Sequence, residues 1–372
     1  MSSTLRDADA PVNGGTLERP LRIGIVAPLW TAVPPREYGG IERHLQLLIE
    51  ELTRRGHVVT LFATGDSHTS AELRAPCDAG VADAMDRGEA CAYEHYLNAA
   101  IADALRVSHR FDVLHFHVGT SALPLAELAS CEVLHTLHTG ITVDDLWALR
   151  RFPDAAVTVL TRRQLAPVPD ERRGSIRVVP YGFDFDSCGC AGEAREHLVF
   201  LGRMAPHKGP DDAIRIARAA GRPLWLAGAP VTAEERRWFE REIEPAIDGE
   251  SVVWLGPVDD SAKQALFERA VALLFPIKWE EPFGLVMLEA VARGVPVLAY
   301  RRGSVPEVVD PGQTGWHADS PAALAALVEQ AARLDRRSVR EHARARFSHA
   351  RMTDAYVDVY MSLVTSRPGG VS

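Results

Sequence analysis

Between Glu280 and Val297 the chain reads Glu-Glu-Pro-Phe-Gly-Leu-Val-Met-Leu-Glu-Ala-Val-Ala-Arg-Gly-Val-Pro-Val. Two carboxylates, Glu281 and Glu289, stand eight residues apart across the start of a helix, with Gly284 at the turn. The first N–H groups of a helix lack intrahelical partners and the dipole there is positive, so Phe283, Gly284 and Leu285 form a junction that attracts phosphate. A carboxylate one turn further in faces the same mouth and accepts hydroxyl protons from a sugar. Alone, either acid would be an ordinary solvated group near a helix end. Together with the glycine turn they suit a ligand that is both phosphate and sugar.

A second segment, Gly202-Arg203-Met-Ala-Pro-His207-Lys208-Gly209, follows an apolar run and precedes a helical pattern. It brings a guanidinium, an ammonium and a helix start together, a set suited to a diphosphate. The ammonium matters because lysine is scarce: of 41 basic side chains only Lys208, Lys263 and Lys278 are lysines. Lys263 falls on a polar helical stretch and reads as incidental. In the first half, Gly39-Gly40 precedes a helix and removes side chains where a ligand or another domain could approach. His115 and His117 alternate with Phe116 and share one face of a strand, His135 reads as a satisfied core histidine, and His138 ends its strand beside Thr139-Gly140. A metal site from His117 and His138 would lack a carboxylate companion, so none is assigned.

The elements that must carry these residues alternate. Residues 21–28 read as a buried strand, 41–55 as an amphipathic helix closed by Gly56, and 58–63 as the next strand, which is one βαβ unit. Strands follow at 112–117, 132–138, 156–160 and 176–179. After the turn Pro180 to Asp184 and a linker at Cys188 to Gly192, a second set begins: strands at 197–201, 223–227, 251–255, 272–275 and 296–299. Helices fall at 209–220, 232–247, 261–270 and 284–293, then at 321–334, 337–347 and 351–365. The reading is α/β: a tail over 1–20, one Rossmann-like domain over 21–183, a second over 184–350, and a last helix, 351–366, packing back on the first. Ligands of such sheets bind beyond the carboxyl ends of the strands, so the cleft between the sheets is the expected site.

Composition agrees with a soluble globular chain of two domains: 372 residues, 47% hydrophobic and 24% charged. No apolar run approaches the ~20 residues that span a bilayer. The five cysteines are scattered, which points to the reducing cytoplasm, and Cys188-Gly-Cys190 has no matching pair for zinc. A formal net charge of -9 argues against a nucleic-acid partner. One basic stretch, with Arg162, Arg163, Arg172, Arg173 and Arg177, reads as a surface loop, with an anionic acceptor or acidic lipid as the sharper alternative. Membrane association is otherwise not indicated.

These residues resemble, over about 21 to 366, the retaining nucleotide-sugar glycosyltransferases of family 4, with the two-domain GT-B fold. The resemblance is carried by Gly39-Gly40, Thr136-Leu-His138-Thr, Val179-Pro-Tyr-Gly-Phe-Asp184, Gly202-Arg203 with Lys208-Gly209, Glu281 with Glu289, and Gly312-Gln-Thr-Gly315. It implies that Arg203 and Lys208 grip the donor diphosphate, that the N–H groups of Phe283 to Leu285 hold the distal phosphate and sugar, and that Glu289 binds ribose. It implies further that Glu281 binds the transferred sugar, that His138 contacts that sugar near O6, and that Gly40 lets the first domain approach the diphosphate. The donor is a substrate and no further cofactor is implied, with a UDP-sugar ahead of a GDP-sugar and the acceptor open. Metal dependence is not implied: Asp184-Phe-Asp186 spells a metal-binding triplet of one-sheet enzymes but falls at the interdomain turn. Two departures stand out. Tyr181 occupies a position where Asn is common, and Arg203 and Lys208 are only five residues apart. An epimerase or hydrolase acting on sugar nucleotides, or a non-catalytic sugar-nucleotide binder, is the alternative reading.

Overall fold

A computed structural model describes residues 19–35 and 39–366. The tail expected over 1–20 lies outside them except for Arg19 and Pro20. Two all-parallel sheets carry the fold. The first has seven strands in the order β3-β2-β1-β4-β5-β6-β7, from β1 (Arg22–Val26), β2 (Val58–Phe62), β3 (Glu72–Arg74), β4 (Val113–Phe116), β5 (Glu132–Leu137), β6 (Ala156–Val159) and β7 (Arg177–Val178). The second has six, β10-β9-β8-β11-β12-β13, from β8 (His197–Leu201), β9 (Leu224–Ala227), β10 (Val252–Gly256), β11 (Ala270–Phe275), β12 (Val297–Tyr300) and β13 (Gly315–Ala318). The central strands are buried and mostly apolar because helices cover both faces of a parallel sheet, with His115, His135, Thr136 and Thr158 as buried polar exceptions in the first sheet. All six residues of β11 are buried.

The helices that position the site are α1 (Gly40–Arg54), α2 (Val143–Arg151), α3 (Pro210–Ala220), α4 (Ala233–Glu242), α5 (Asp260–Glu268), α6 (Leu285–Ala292), α7 (Arg336–Phe347) and α8 (His349–Thr365). In each sheet the strand order reverses at one place, between β1 and β4 and between β8 and β11. Loops that leave such neighbours diverge to opposite faces and open a crevice at the strand ends.

Some elements depart from the sequence reading. Residues 321–334 form two short helices, Pro321–Ala325 and Val328–Ala331, rather than one. The helix expected over 232–247 ends at Glu242, and Pro245 lies in the short 3-10 turn that follows. Strand β13 was not expected; Gly315 opens it with a φ of +148° and its position against the backbone of Val297 leaves no room for a Cβ. The last helix starts at His349, capped by Ser348.

That last helix belongs to the first domain in packing. Met352, Tyr356, Val359 and Tyr360 are buried in the same core as Leu45, Leu48 and Val113. At the crossing, Phe183 N–H donates to Phe347 O at 2.8 Å and His349 N–H to Phe183 O at 3.0 Å. Arg55, just after α1, pairs with Asp354 of α8 at 2.5 Å.

Candidate functional site

The loop after β8 and the loop after β11 leave the two strands that flank the second sheet's reversal, and they supply the charged groups. Lys208 Nζ lies 2.6 Å from Glu281 Oε2, both side chains largely shielded, and the ammonium sits 5.0 Å over the Trp279 ring. Two glycines make this approach possible. Gly209, at a φ of +77°, lies so near Pro276 that a Cβ would meet its carbonyl oxygen at 2.1 Å. Gly284, at +82°, turns the chain into α6, where a Cβ would meet the Phe275 ring at 2.9 Å. Helix α6 carries no side-chain cap at that end, so its first N–H groups remain available to an anion.

Arg203 is aimed by two neighbours. Its Nε lies 3.2 Å from Glu235 Oε1, and its other end meets His207 Nε2 at 3.3 Å. Glu235 is itself fixed by the capping box of α4, accepting from the N–H groups of Val231 and Thr232 at 2.9 and 3.2 Å. Burial would raise its pKa, but these backbone donors and the guanidinium outweigh that and hold the carboxyl's pKa below its ordinary value. The His207 imidazole is pushed down by burial and by Lys208 and Arg203 beside it.

Glu289 stands one turn into α6, and Lys263 of α5 is on it, 3.1 Å from Oε1 and 3.0 Å from Oε2. Lys263 is therefore not incidental. Its helix looked polar in sequence, and only packing against α6 shows that the ammonium turns toward the site. Lys278 instead pairs with Asp211 and Asp212 of α3 at 2.7 and 3.3 Å. All three lysines thus lie around the strand ends of the second sheet, each on a carboxylate.

The first domain contributes a buried histidine cluster. His138 Nε2 shares a hydrogen bond with His117 Nδ1 at 2.8 Å, and its Nδ1 shares one with the Tyr181 hydroxyl at 2.7 Å. The chain continues from His117 Nε2 to His115 Nδ1 at 3.1 Å and from His115 Nε2 to Thr136 Oγ1 at 2.7 Å. Tyr360 of α8 meets His115 at 2.7 Å, and His44 of α1 packs against Tyr181 at 4.6 Å between centroids. Burial holds every one of these imidazoles neutral: His138 falls to about 3, and His44, His115 and His117 lie well below their ordinary value. His115 and His117 share a face as expected. His135 does not behave as a satisfied core histidine: it is fully buried, stacks on Phe116, and neither ring nitrogen has a hydrogen-bond partner.

Tyr181 was read only as a departure, yet it joins the halves. Its hydroxyl reaches His138, while its ring meets Phe283, next to the start of α6, at 5.1 Å. Nearby, a Cβ on Gly40 would come 3.1 Å from Leu285, which explains the glycine at the start of α1. Other ties cross the same boundary. The N–H groups of Arg162 and Arg163 donate to the two oxygens of Glu307, each at 2.8 Å. Arg163 Nε reaches Glu280 at 2.8 Å, and Thr161 donates to Pro282 O at 3.2 Å. Three arginines of the basic stretch, Arg163, Arg172 and Arg173, thus turn their side chains to partners within the protein, whereas Arg162 and Arg177 stay exposed. Arg172 donates to Ala155 O, and Arg173 donates to Leu165 O and Ala166 O. Asp184 caps its own turn by accepting from Asp186 N–H at 3.0 Å, and Asp186 pairs with Arg344 at 2.8 Å, so that triplet is structural. Among the described residues no group of three or more His, Cys, Asp or Glu is placed to hold a metal ion.

Comparison with known proteins bears on this arrangement. The profile of Glycosyltransferase Family 4 matches residues 38–187, and that of Glycosyl transferases group 1 matches residues 191–347. A D-inositol 3-phosphate glycosyltransferase of Saccharomonospora viridis is 27% identical, over 90% of this chain and 91% of its own. Among solved structures, sucrose-phosphate synthase of Thermosynechococcus elongatus superposes with a TM-score of 0.76 at 20% identity, covering 93% of this chain and 100% of that one. The Anabaena protein HepE, solved with UDP and glucose, gives 0.69 at 17% identity, covering 92% and 100%. With one profile on each domain and the shared two-sheet fold, the chain belongs to the family 4 type of glycosyltransferases with the GT-B fold.

Proposed function

We propose that the protein is a retaining hexosyltransferase that moves sugar from a nucleoside diphosphate donor to an acceptor hydroxyl without a metal ion. The observation that carries this reading is the Lys208–Glu281 pair beside the uncapped start of α6. An ammonium has three donors and Glu281 uses one. The pair can therefore face a phosphate with its cation and sugar hydroxyls with its carboxylate. As the anomeric bond breaks, the sugar becomes oxocarbenium-like and the diphosphate gains negative charge. Lys208, Arg203 and the N–H groups of Phe283 to Leu285 stabilise that charge more than the ground state. These groups are already oriented, which saves reorganisation.

Glu281 is a poor nucleophile when held by an ammonium at 2.6 Å. Attack from the face of the departing phosphate, with that phosphate taking the acceptor proton, retains the anomeric configuration. Glu289 holds the ribose and Gly40 admits the first domain as the cleft closes. His138 walls the acceptor side; its Nε2 reaches a sugar hydroxyl only by releasing His117. A UDP-sugar is the first donor to try, since HepE was solved with UDP and glucose, and a GDP-sugar is the second. The cysteines are all free, and among the described residues no helix is long and apolar enough to cross a membrane, which supports a cytoplasmic site of action.

The test is a panel of UDP-, GDP- and ADP-sugars, read first by thermal stabilisation and then by transfer to candidate acceptors. The product anomer is assigned by NMR, and chelator is added in parallel. Retention of configuration with chelator-resistant turnover is expected. An inverted product, or complete loss rescued by a divalent metal, would overturn the mechanism.

A further inference from the structure

One ionic chain runs from the proposed ribose site to the other domain. Lys263 Nζ touches both oxygens of Glu289, at 3.1 and 3.0 Å, and also lies 3.1 Å from Asp260 Oδ1. Asp260 Oδ2 is 2.8 Å from Arg43 in the first turns of α1, across the cleft. The two ends differ. Lys263 and Glu289 are 14% and 17% exposed at their side chains, whereas Asp260 is 59% exposed and Arg43 34%. Exposed pairs contribute little because water screens them, so the firm part of the chain is the ammonium on Glu289.

The chemistry of a ribose edge explains a cation there. A diol offers two O–H donors, and one carboxylate can accept both. The same two hydroxyl oxygens still carry lone pairs that lose their water inside a closed cleft. A donor must replace that water, or the desolvation cost remains. Glu289 has no proton to give. The Lys263 ammonium directs one hydrogen to Glu289 Oε1 and one to Asp260, which leaves its third for a hydroxyl oxygen, while the buried Glu289 Oε2 accepts no hydrogen bond within the protein and is open to the diol. A compact ammonium can sit above the carboxylate, where a planar guanidinium would lie across it. In a chain that uses arginine almost everywhere, this accounts for lysine at 263.

We propose that Lys263 is a second ribose contact: it donates to a ribose hydroxyl oxygen while Glu289 accepts from the diol, so the site selects ribonucleoside over 2′-deoxyribonucleoside diphosphates. Asp260 holds the ammonium from behind, and Arg43 ties that support to the first domain. The inference rests on Glu289 being the ribose carboxylate.

The experiment measures binding of UDP, GDP and ADP, and of dUDP, dGDP and dADP, to the full chain by calorimetry, for wild type, Lys263→Met and Lys263→Arg. For whichever ribonucleotide binds wild type, removing the 2′-hydroxyl should weaken binding by roughly 10- to 100-fold, the range of one to two charge-assisted hydrogen bonds. Lys263→Met should weaken ribonucleotide binding about tenfold and the deoxy form much less, so the ratio between them collapses. Lys263→Arg keeps a cation beside Glu289; it carries the test if the methionine variant unfolds, and it too should lower the ratio. A ribo-to-deoxy ratio that is unchanged in a folded variant overturns the proposal and leaves the transferase reading intact. Wild type binding none of the three ribonucleotides overturns both.

Discussion

The histidines of the first domain make folding stability a steep function of pH. His44, His115, His117, His135 and His138 are all at least nine-tenths buried, and burial, the largest cause in each, holds their imidazoles below the ordinary value of 6.5. The sign follows directly. The unfolded chain binds protons at these sites as pH falls through 6.5 and the native chain does not, so their contribution is intact above about pH 7 and lost progressively below 6.5. Between pH 7.5 and 5.5 each unfolded imidazole gains about 1.4 kcal/mol of proton binding that the native one forgoes, and five together give about 7 kcal/mol. That is comparable to the whole stability of a typical domain, ~5–15 kcal/mol. The carboxyls held low by arginine pairs, such as Glu51 at about 2, act only at lower pH and do not mask the effect. Urea unfolding at pH 7.5, 6.5 and 5.5, with hydrogen exchange followed separately over 22–178 and 197–347, should show the first domain opening first in acid. His135→Leu removes one titrating site outside the hydrogen-bonded cluster. It should lower the acid loss by about 1.4 kcal/mol and raise stability at pH 7.5, because a buried imidazole without partners costs about 1–3 kcal/mol. A first domain equally stable at pH 7.5 and 5.5 would refute a neutral buried cluster.

Three further outcomes follow from the site. Lys208→Ala should cut transfer by about 100-fold or more and weaken donor binding, with circular dichroism unchanged; undiminished turnover would remove Lys208 from the diphosphate grip. Tyr181→Phe keeps the ring on Phe283 but deletes the hydroxyl that orients His138. Turnover should fall about tenfold with little change in donor KM, and the imidazole nitrogen shifts of His138 should move; unchanged shifts would show that Tyr181 does not set its tautomer. Glu307→Gln weakens the carboxylate that receives the Arg162 and Arg163 N–H groups. X-ray scattering without ligand should then report a more open molecule, and an unchanged radius would mean that this tie does not restrain closure.

Most strands were readable because parallel strands buried on both faces are mostly apolar, and runs such as Ile23 to Val26 or Leu273 to Phe275 have few other uses. Short or irregular elements were not: Glu72–Arg74 is an edge strand with no buried residue, and Gly315–Ala318 opens on a glycine. At the site, Glu281, Glu289, Lys208 and Gly284 could be named because local chemistry gives them away. A glycine turn, a helix start and an isolated lysine each have a meaning within a few residues of chain.

Pairings across sequence distance could not be read that way. Lys263 and Glu289 are on different helices, and nothing local distinguishes a lysine facing solvent from one turned onto a carboxylate. The engagement of both nitrogens of His138 requires β4, β5 and the interdomain turn to meet at one point, and the burial that neutralises the cluster comes partly from a helix more than 200 residues further on. Arg172 and Arg173 donate to backbone carbonyls that the sequence could not show, because it gives their charge but not what packing places beneath them. Residue type thus determined which groups can grip phosphate and sugar. Only the tertiary structure decided which are paired, neutral or held, because those properties depend on distance and solvent exclusion, which the order of residues does not contain.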